Sequence, residues 1–218
     1  MNKYFIIALA ITTTILTCLL AFESTFFDRS FYKSEFKRLG IYEREGTFLP
    51  DNMTEAVLLF DENKIPNLNL SYLTPAEISH MEDVKYRIRF AINVRRMLVG
   101  LWLILMGFLA WKSKNPFRDI GRVYKAAGIT ALLFVAVIGI ASLFFEPLFD
   151  LFHVVLFPQG NYLFPYPSAL LRVYTFQLHY DVFFTTLIKV LFAAVVLFLL
   201  GAFIIRSSDK KLKTRRGS

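Results

Sequence analysis

Histidine is the one side chain whose ordinary pKa lies near neutrality, and this 218-residue chain has three of them, two in patterned company. Glu77, His80, Asp83 and Arg87 fall three and four residues apart, so a helix would put all four on one face. Glu146, Asp150 and His153 have spacings of four and three in an otherwise apolar segment. A carboxylate one turn from an imidazole can fix its tautomer and stabilise its protonated form, which a general base requires. The same residues would also serve as local salt bridges at a surface or interface, and spacing does not choose between the two. His179, beside Tyr180 and Asp181, lacks such a stripe and reads as an interfacial anchor. There is no Gly-x-Ser-x-Gly elbow and no phosphate loop. The histidines with Asp83 and Asp150 lack the tight His-x-x-x-His spacing of a metal site, so no metal is expected. The single cysteine, Cys18, sits within an apolar run and reads as a packing residue, with no disulfide framework.

The elements that must position these residues are set by hydrophobicity. Fifty-six percent of the chain is hydrophobic, mean hydropathy is +0.49 and phenylalanine alone occurs 24 times. Runs of about 20 apolar residues mark transmembrane helices, and they are expected at 4–22, 92–111, 126–145 and 182–205. The fold class is therefore an all-α membrane protein with four spans, forming a single membrane domain over 1–218. The first run reads as an uncleaved anchor rather than a signal peptide. Residues 23–91 form a large extracytoplasmic first loop, in which Thr74-Pro75-Ala76-Glu77 reads as a capping box opening a helix. Residues 30–41 carry an amphipathic pattern that suits either a membrane interface, with the Tyr32 hydroxyl at its wet edge, or packing on the loop's own core. Leu49-Pro50-Asp51-Asn52 reads as a turn, and 54–60 as a short strand or helix.

Charge orients the spans. Lys112, Lys114, Arg118, Arg122 and Lys125 flank the second connection, and the 206–218 tail is basic. The positive-inside rule puts both termini and this connection in the cytoplasm and all three histidines outside. This distribution accounts for the net charge of +8 without nucleic acid. In the second outer segment, 146–181, the stretch from Glu146 to Phe157 is too short to cross a bilayer and too apolar for water. It is expected to be a membrane-embedded or interfacial helix with its Glu146-Asp150-His153 stripe turned to a polar cavity. Pro147 should bend or restart the chain there, and Pro158-Gln159-Gly160 should end the helix. Arg95 and Arg96 fall at headgroup level, where they either reach to the surface or contact a lipid or substrate oxygen.

Glu77-Ile78-Ser79-His80-Met81-Glu82-Asp83-Val84-Lys85, followed by Phe152-His153, Phe157, Gly160-Asn161 and Phe164-Pro165, resembles the Lit family, the lipoprotein intramolecular transacylases of Gram-positive bacteria. The similarity extends over most of the chain. Tyr162 stands where the family usually has Trp, and Thr175 where a Pro is expected. The resemblance implies an acyltransferase of the cell membrane with its site facing outward. A diacylated bacterial lipoprotein is its expected substrate, and membrane lipid its surroundings. The sn-2 acyl chain would move from glycerol to the α-amine of the N-terminal cysteine, giving a lyso-form lipoprotein without an acyl-enzyme or a cofactor, and the protein is expected to act as a monomer. On this reading His80 and His153 are the general acid and base, in either order. Glu77, Asp83 and Asp150 orient them, and Gly160, Asn161, Tyr162, Arg95 and Arg96 bind the oxyanion or substrate. The rival readings are a phospholipid-dependent acyltransferase or lipid hydrolase, and a non-catalytic four-span scaffold.

Overall fold

The computed structural model describes residues 2–164 and 167–216, so Pro165 of the motif lies outside the described residues. Those residues form helices and no strand. In order they are α1 (Lys3–Phe26), α2 (Arg29–Arg38), α3 (Ile41–Glu45), α4 (Phe48–Asp61), α5 (Pro75–Lys112), α6 (Pro116–Ala141), α7 (Phe145–Leu156), α8 (Ala169–Val173) and α9 (Phe176–Arg216). Four helical stretches are long and apolar enough to cross a membrane: α1, α5, α9, and α6 continued through a 3-10 turn into α7. The chain is an all-α membrane protein.

Contacts divide it into two units. The first comprises Met1–Phe22, Val94–Ile140 and Thr186–Ser218. Large apolar side chains such as Ile104, Phe192 and Phe203 are mostly exposed here, as suits a surface turned to lipid. Its helices pack through small residues and hydroxyls. Trp102 Nε1 donates to Thr13 Oγ1 at 2.9 Å, and Thr14 Oγ1 donates to the Ala127 carbonyl at 3.1 Å. On α6, a Cβ built at Gly128 would lie 2.5 Å from the Phe198 nitrogen of α9. One built at Gly201 would lie 2.3 Å from the Lys125 nitrogen, so these backbones meet where only glycine fits.

The second unit comprises Glu23–Asn93 and Ala141–Thr185. It has an apolar core of its own, built around Tyr32, Phe36, Ile41, Met53 and Leu170, all at most 5% exposed. This corrects the interfacial alternative for 30–41. Tyr32 is buried and edge-on to Tyr174 and Phe31, so its ring faces a protein core rather than the wet edge of a bilayer. The expected turn at Leu49-Pro50 is also corrected: both residues lie in the first turn of α4. Pro50 is tolerated there because a first-turn N–H has no intrahelical partner to lose. The break before α7 falls at Ser142–Phe144, one turn ahead of Pro147, whose ring would clash with the carbonyl four residues earlier, that of Leu143. Thr175 caps α9, its Oγ1 accepting from Leu178 N at 3.3 Å.

Candidate active site

The opening of α5 is built by its own sequence. Thr74 N and Thr74 Oγ1 donate to Glu77 Oε2 at 2.7 and 2.8 Å, and Glu77 N donates back to Thr74 Oγ1, closing the capping box. The other carboxylate oxygen, Oε1, accepts from Ser168 Oγ and Leu170 N, tying α5 to the start of α8. Glu77 is 1% exposed and both its oxygens are engaged away from His80. It therefore holds the helix ends and does not orient the imidazole as the sequence led us to expect.

One turn on, His80 is buried against rings. Its centroid lies 4.7 Å from Phe157, 5.5 Å from Phe164 and 6.3 Å from His153, with the two imidazoles only 24° from parallel. His153 in turn stands 5.0 Å from Tyr162 and 4.3 Å from Phe149. Sequence spacing alone could not show that the two histidines, on α5 and α7, face one another.

A hydrogen bond determines which nitrogen of the His153 ring is protonated. His153 Nδ1 is 2.8 Å from the Phe149 carbonyl, which can only accept. Nδ1 therefore carries the proton, and in the neutral ring Nε2 holds the free lone pair. Asp83 Oδ2 accepts from Gln159 Nε2 and from Asn161 Nδ2, both at 2.6 Å. A carboxylate cannot donate, so these bonds fix the Asn161 amide with its nitrogen toward Asp83. The Asn161 oxygen accepts from Gln159 Nε2 at 3.3 Å, and His80 Nδ1 is buried without a partner.

Several expected roles change. Asp83 is bonded to Gln159 and Asn161, on the segment after α7. Asp150 and Glu146 are exposed on α7, and the His153 tautomer is set by the Phe149 carbonyl instead of by a carboxylate. Gly160, at φ +74°, turns the chain after α7, and its N–H is already given to the Phe157 carbonyl at 3.0 Å. One N–H of the Asn161 amide is held by Asp83, which leaves its second N–H as a donor. Arg95 and Arg96 belong to the other unit. His179 is joined to the cluster through Phe149, at 5.2 Å ring to ring, and its Nδ1–H donates to the Thr175 carbonyl. The sequence reading gave no site role to Phe149 or Gln159, and named Phe157 only among the residues of the family resemblance. Gln159 looked like part of a helix stop, and aromatic residues are too common here to stand out. Among the described residues no three His, Cys, Asp or Glu side chains converge as a metal would require.

The sequence profile of the family described as "Lipoprotein intramolecular transacylase Lit" matches residues 6–177. An uncharacterized protein of Aquifex aeolicus is 27% identical over 196 residues, covering 84% of this chain and 85% of that one. The in meso structure of the membrane integral lipoprotein intramolecular transacylase Lit from Bacillus cereus superposes with a TM-score of 0.75 at 16% identity, covering 99% of this chain and 98% of that chain. A variant of that protein with one histidine changed to alanine gives 0.77 at 14% identity, over 99% and 96%. At such identities the structures speak for the fold. The profile match spans most of the chain, and with it this four-span helical protein belongs to the Lit family of lipoprotein intramolecular transacylases.

Proposed function

We propose that the chain moves the sn-2 acyl chain of a diacylglyceryl lipoprotein onto the α-amine of its N-terminal cysteine. The product is an N-acyl, S-monoacylglyceryl lipoprotein. Family membership supports the reaction class, and the observation that supports the residue assignment is the facing pair His80 and His153, with centroids 6.3 Å apart. Donor ester and acceptor amine belong to one substrate, so holding it in a reactive pose makes the attack unimolecular, with a large proximity gain. The amine nitrogen attacks the ester carbonyl carbon, whose π pair moves onto oxygen. His153 Nε2, with its free lone pair, takes the amine proton. Collapse re-forms the carbonyl, breaks the bond to the glycerol oxygen and requires one proton there, which balances the one removed. That proton comes from the imidazolium of His153, handed over directly or relayed through the facing ring of His80, so both rings end neutral. A serving group must come within about 2.6–3.2 Å of its atom. Attacking nitrogen and leaving oxygen sit on one tetrahedral carbon, so two imidazoles separated by little more than a ring can serve both.

The site faces outward and both termini are cytoplasmic. Lys112, Lys114, Arg118, Arg122 and Lys125, from the end of α5 into the first turns of α6, with Arg206, Lys210 and Lys211 on α9, support this through the positive-inside rule.

The test is expression in a host that accumulates diacylglyceryl lipoprotein, followed by mass spectrometry of the N-terminal lipopeptide. Unchanged mass with the acyl chain on nitrogen is expected. A gain of one acyl chain would show a phospholipid donor, and loss of one would show hydrolysis. His80→Ala and His153→Ala should each slow conversion by about 10²–10⁴-fold, the usual worth of a positioned acid or base. Full activity in both variants would overturn the assignment.

A further inference from the structure

The carbonyl end of α7 has few donors from the residues that follow it. The last four carbonyls of a helix have no intrahelical partner, and the residues after α7 supply few. Phe157 N serves the His153 carbonyl at 2.8 Å. Pro158, which would serve Val154, has no N–H. The N–H of Gly160, which would serve Leu156, is turned to Phe157 instead. The Leu156 carbonyl is met from another element: Arg87 Nη2 of α5 donates to it at 2.9 Å. Arg87 is half-buried, with its Nε enclosed and without a partner, and its guanidinium lies 5.3 Å from the Tyr86 ring. Enclosing a permanent cation in this way is costly, and the carbonyl end of a helix is where a positive charge is favoured.

Arg87 follows His80 by seven residues and Asp83 by four, on the same face of α5. Three successive turns of that face thus engage one segment: His80 packs against His153 and Phe157, Asp83 binds Gln159 and Asn161, and Arg87 binds Leu156. We propose that Arg87 is a positioning residue for the transfer reaction: its guanidinium pins the end of α7 to α5 and so keeps His153 facing His80. It acts through His153 and does not touch the reacting atoms. The role in catalysis rests on the transacylase reading, while the tie itself can be measured without it.

The experiment compares Arg87→Met, similar in length and uncharged, with Arg87→Lys, which keeps a cationic donor. Two readouts are taken on the purified full chain: lipoprotein conversion at several substrate concentrations, and hydrogen–deuterium exchange of peptides covering 153–161. In Arg87→Met the 153–161 amides should exchange several-fold faster, and kcat should fall about 10- to 100-fold, as for an ångström-scale misplacement of a catalytic group. KM should stay within about threefold, and Arg87→Lys should restore both readouts in large part. Lost kcat with unchanged exchange would mean that Arg87 meets the substrate directly, and would overturn the proposal. Faster exchange with unchanged kcat would overturn it too, as would destabilisation across the whole chain that Arg87→Lys does not repair. If the unsubstituted protein converts no lipoprotein, the transacylase reading fails, and the exchange comparison still decides whether the tie exists.

Discussion

An imidazole can serve as base or acid only when the other ring nitrogen is held in the matching state, and the two rings here are held by different means. The hold on His153 is a backbone carbonyl, a neighbour that no side-chain substitution removes directly. His80 is held by packing against Phe157 and Phe164, while Asp83, one turn on, ties Gln159 and Asn161 to α5. This gives Asp83 a sharper role than that of a nearby negative charge. Asp83→Asn keeps the size and most of the polarity, but a neutral amide oxygen binds two donors less strongly than a carboxylate, so both ties weaken. Conversion by Asp83→Asn should therefore fall by about 10- to 100-fold, as for a small misplacement of a catalytic group, with KM little changed. Asn161→Ala should act in the same direction, since it removes one of the two groups that Asp83 holds. Lipopeptide mass spectrometry over a time course measures both. Equal rates for Asp83→Asn and the unsubstituted chain would show that these ties do not matter.

At the scale of elements, the parts of the fold legible in the sequence were those set by local rules. The spans follow from long apolar runs, the α5 start from Thr74 and Glu77, and the break before α7 from Pro147. The parts that were not legible depend on what covers a helix face. Residues 30–41 have the same alternation whether a bilayer or a protein core lies beneath them, and only the packing of Tyr32 and Phe36 with Tyr174 decides for the core. Asp150 kept its helical register with His153 yet is turned to the outside, because register places side chains on a stripe without saying what the stripe meets. Helix contacts within the membrane unit were equally hidden, since a glycine in an apolar run is common. The contact of α6 with α9 makes Gly128 and Gly201 special: any Cβ there would enter the neighbouring backbone at 2.5 and 2.3 Å. Gly128→Ala and Gly201→Ala should each cost about 1–3 kcal/mol, as overpacking does, and lower the thermal unfolding midpoint of the detergent-purified protein. Gly107→Ala on α5, where nothing lies within 4 Å, should be neutral or raise the midpoint slightly, because alanine is the better helix former.

At the scale of the whole molecule, stability should depend on pH through a residue remote from the chemistry. Asp61 ends α4 in the core of the second unit, fully buried, with neither carboxylate oxygen hydrogen-bonded. Nothing in Phe60-Asp61-Glu62 marks the middle residue as the buried one. Burial pushes its carboxyl from the usual 3.8 up to about 7, even though the Lys85 ammonium draws it down. That ammonium lies 3.8 Å from the Phe60 ring centroid and 3.4 Å from the Ile65 carbonyl oxygen. The position of Asp61 at the negative end of α4 also disfavours a carboxylate. Below about pH 4 the group is protonated in folded and unfolded chains alike and has no effect on the balance between them. Between about pH 4 and 7 the unfolded chain releases the proton while the folded chain keeps it, so stability is lost as pH rises. Above about 7 the full penalty persists. Asp61→Asn, which is neutral at every pH, should remove this dependence. Its unfolding midpoint should be close to that of the unsubstituted chain at pH 4–5 and higher at pH 8, with the gap opening between those values. A gap that is constant across the range would mean that Asp61 is ionised in the folded protein throughout, paired with Lys85 rather than held neutral in the core.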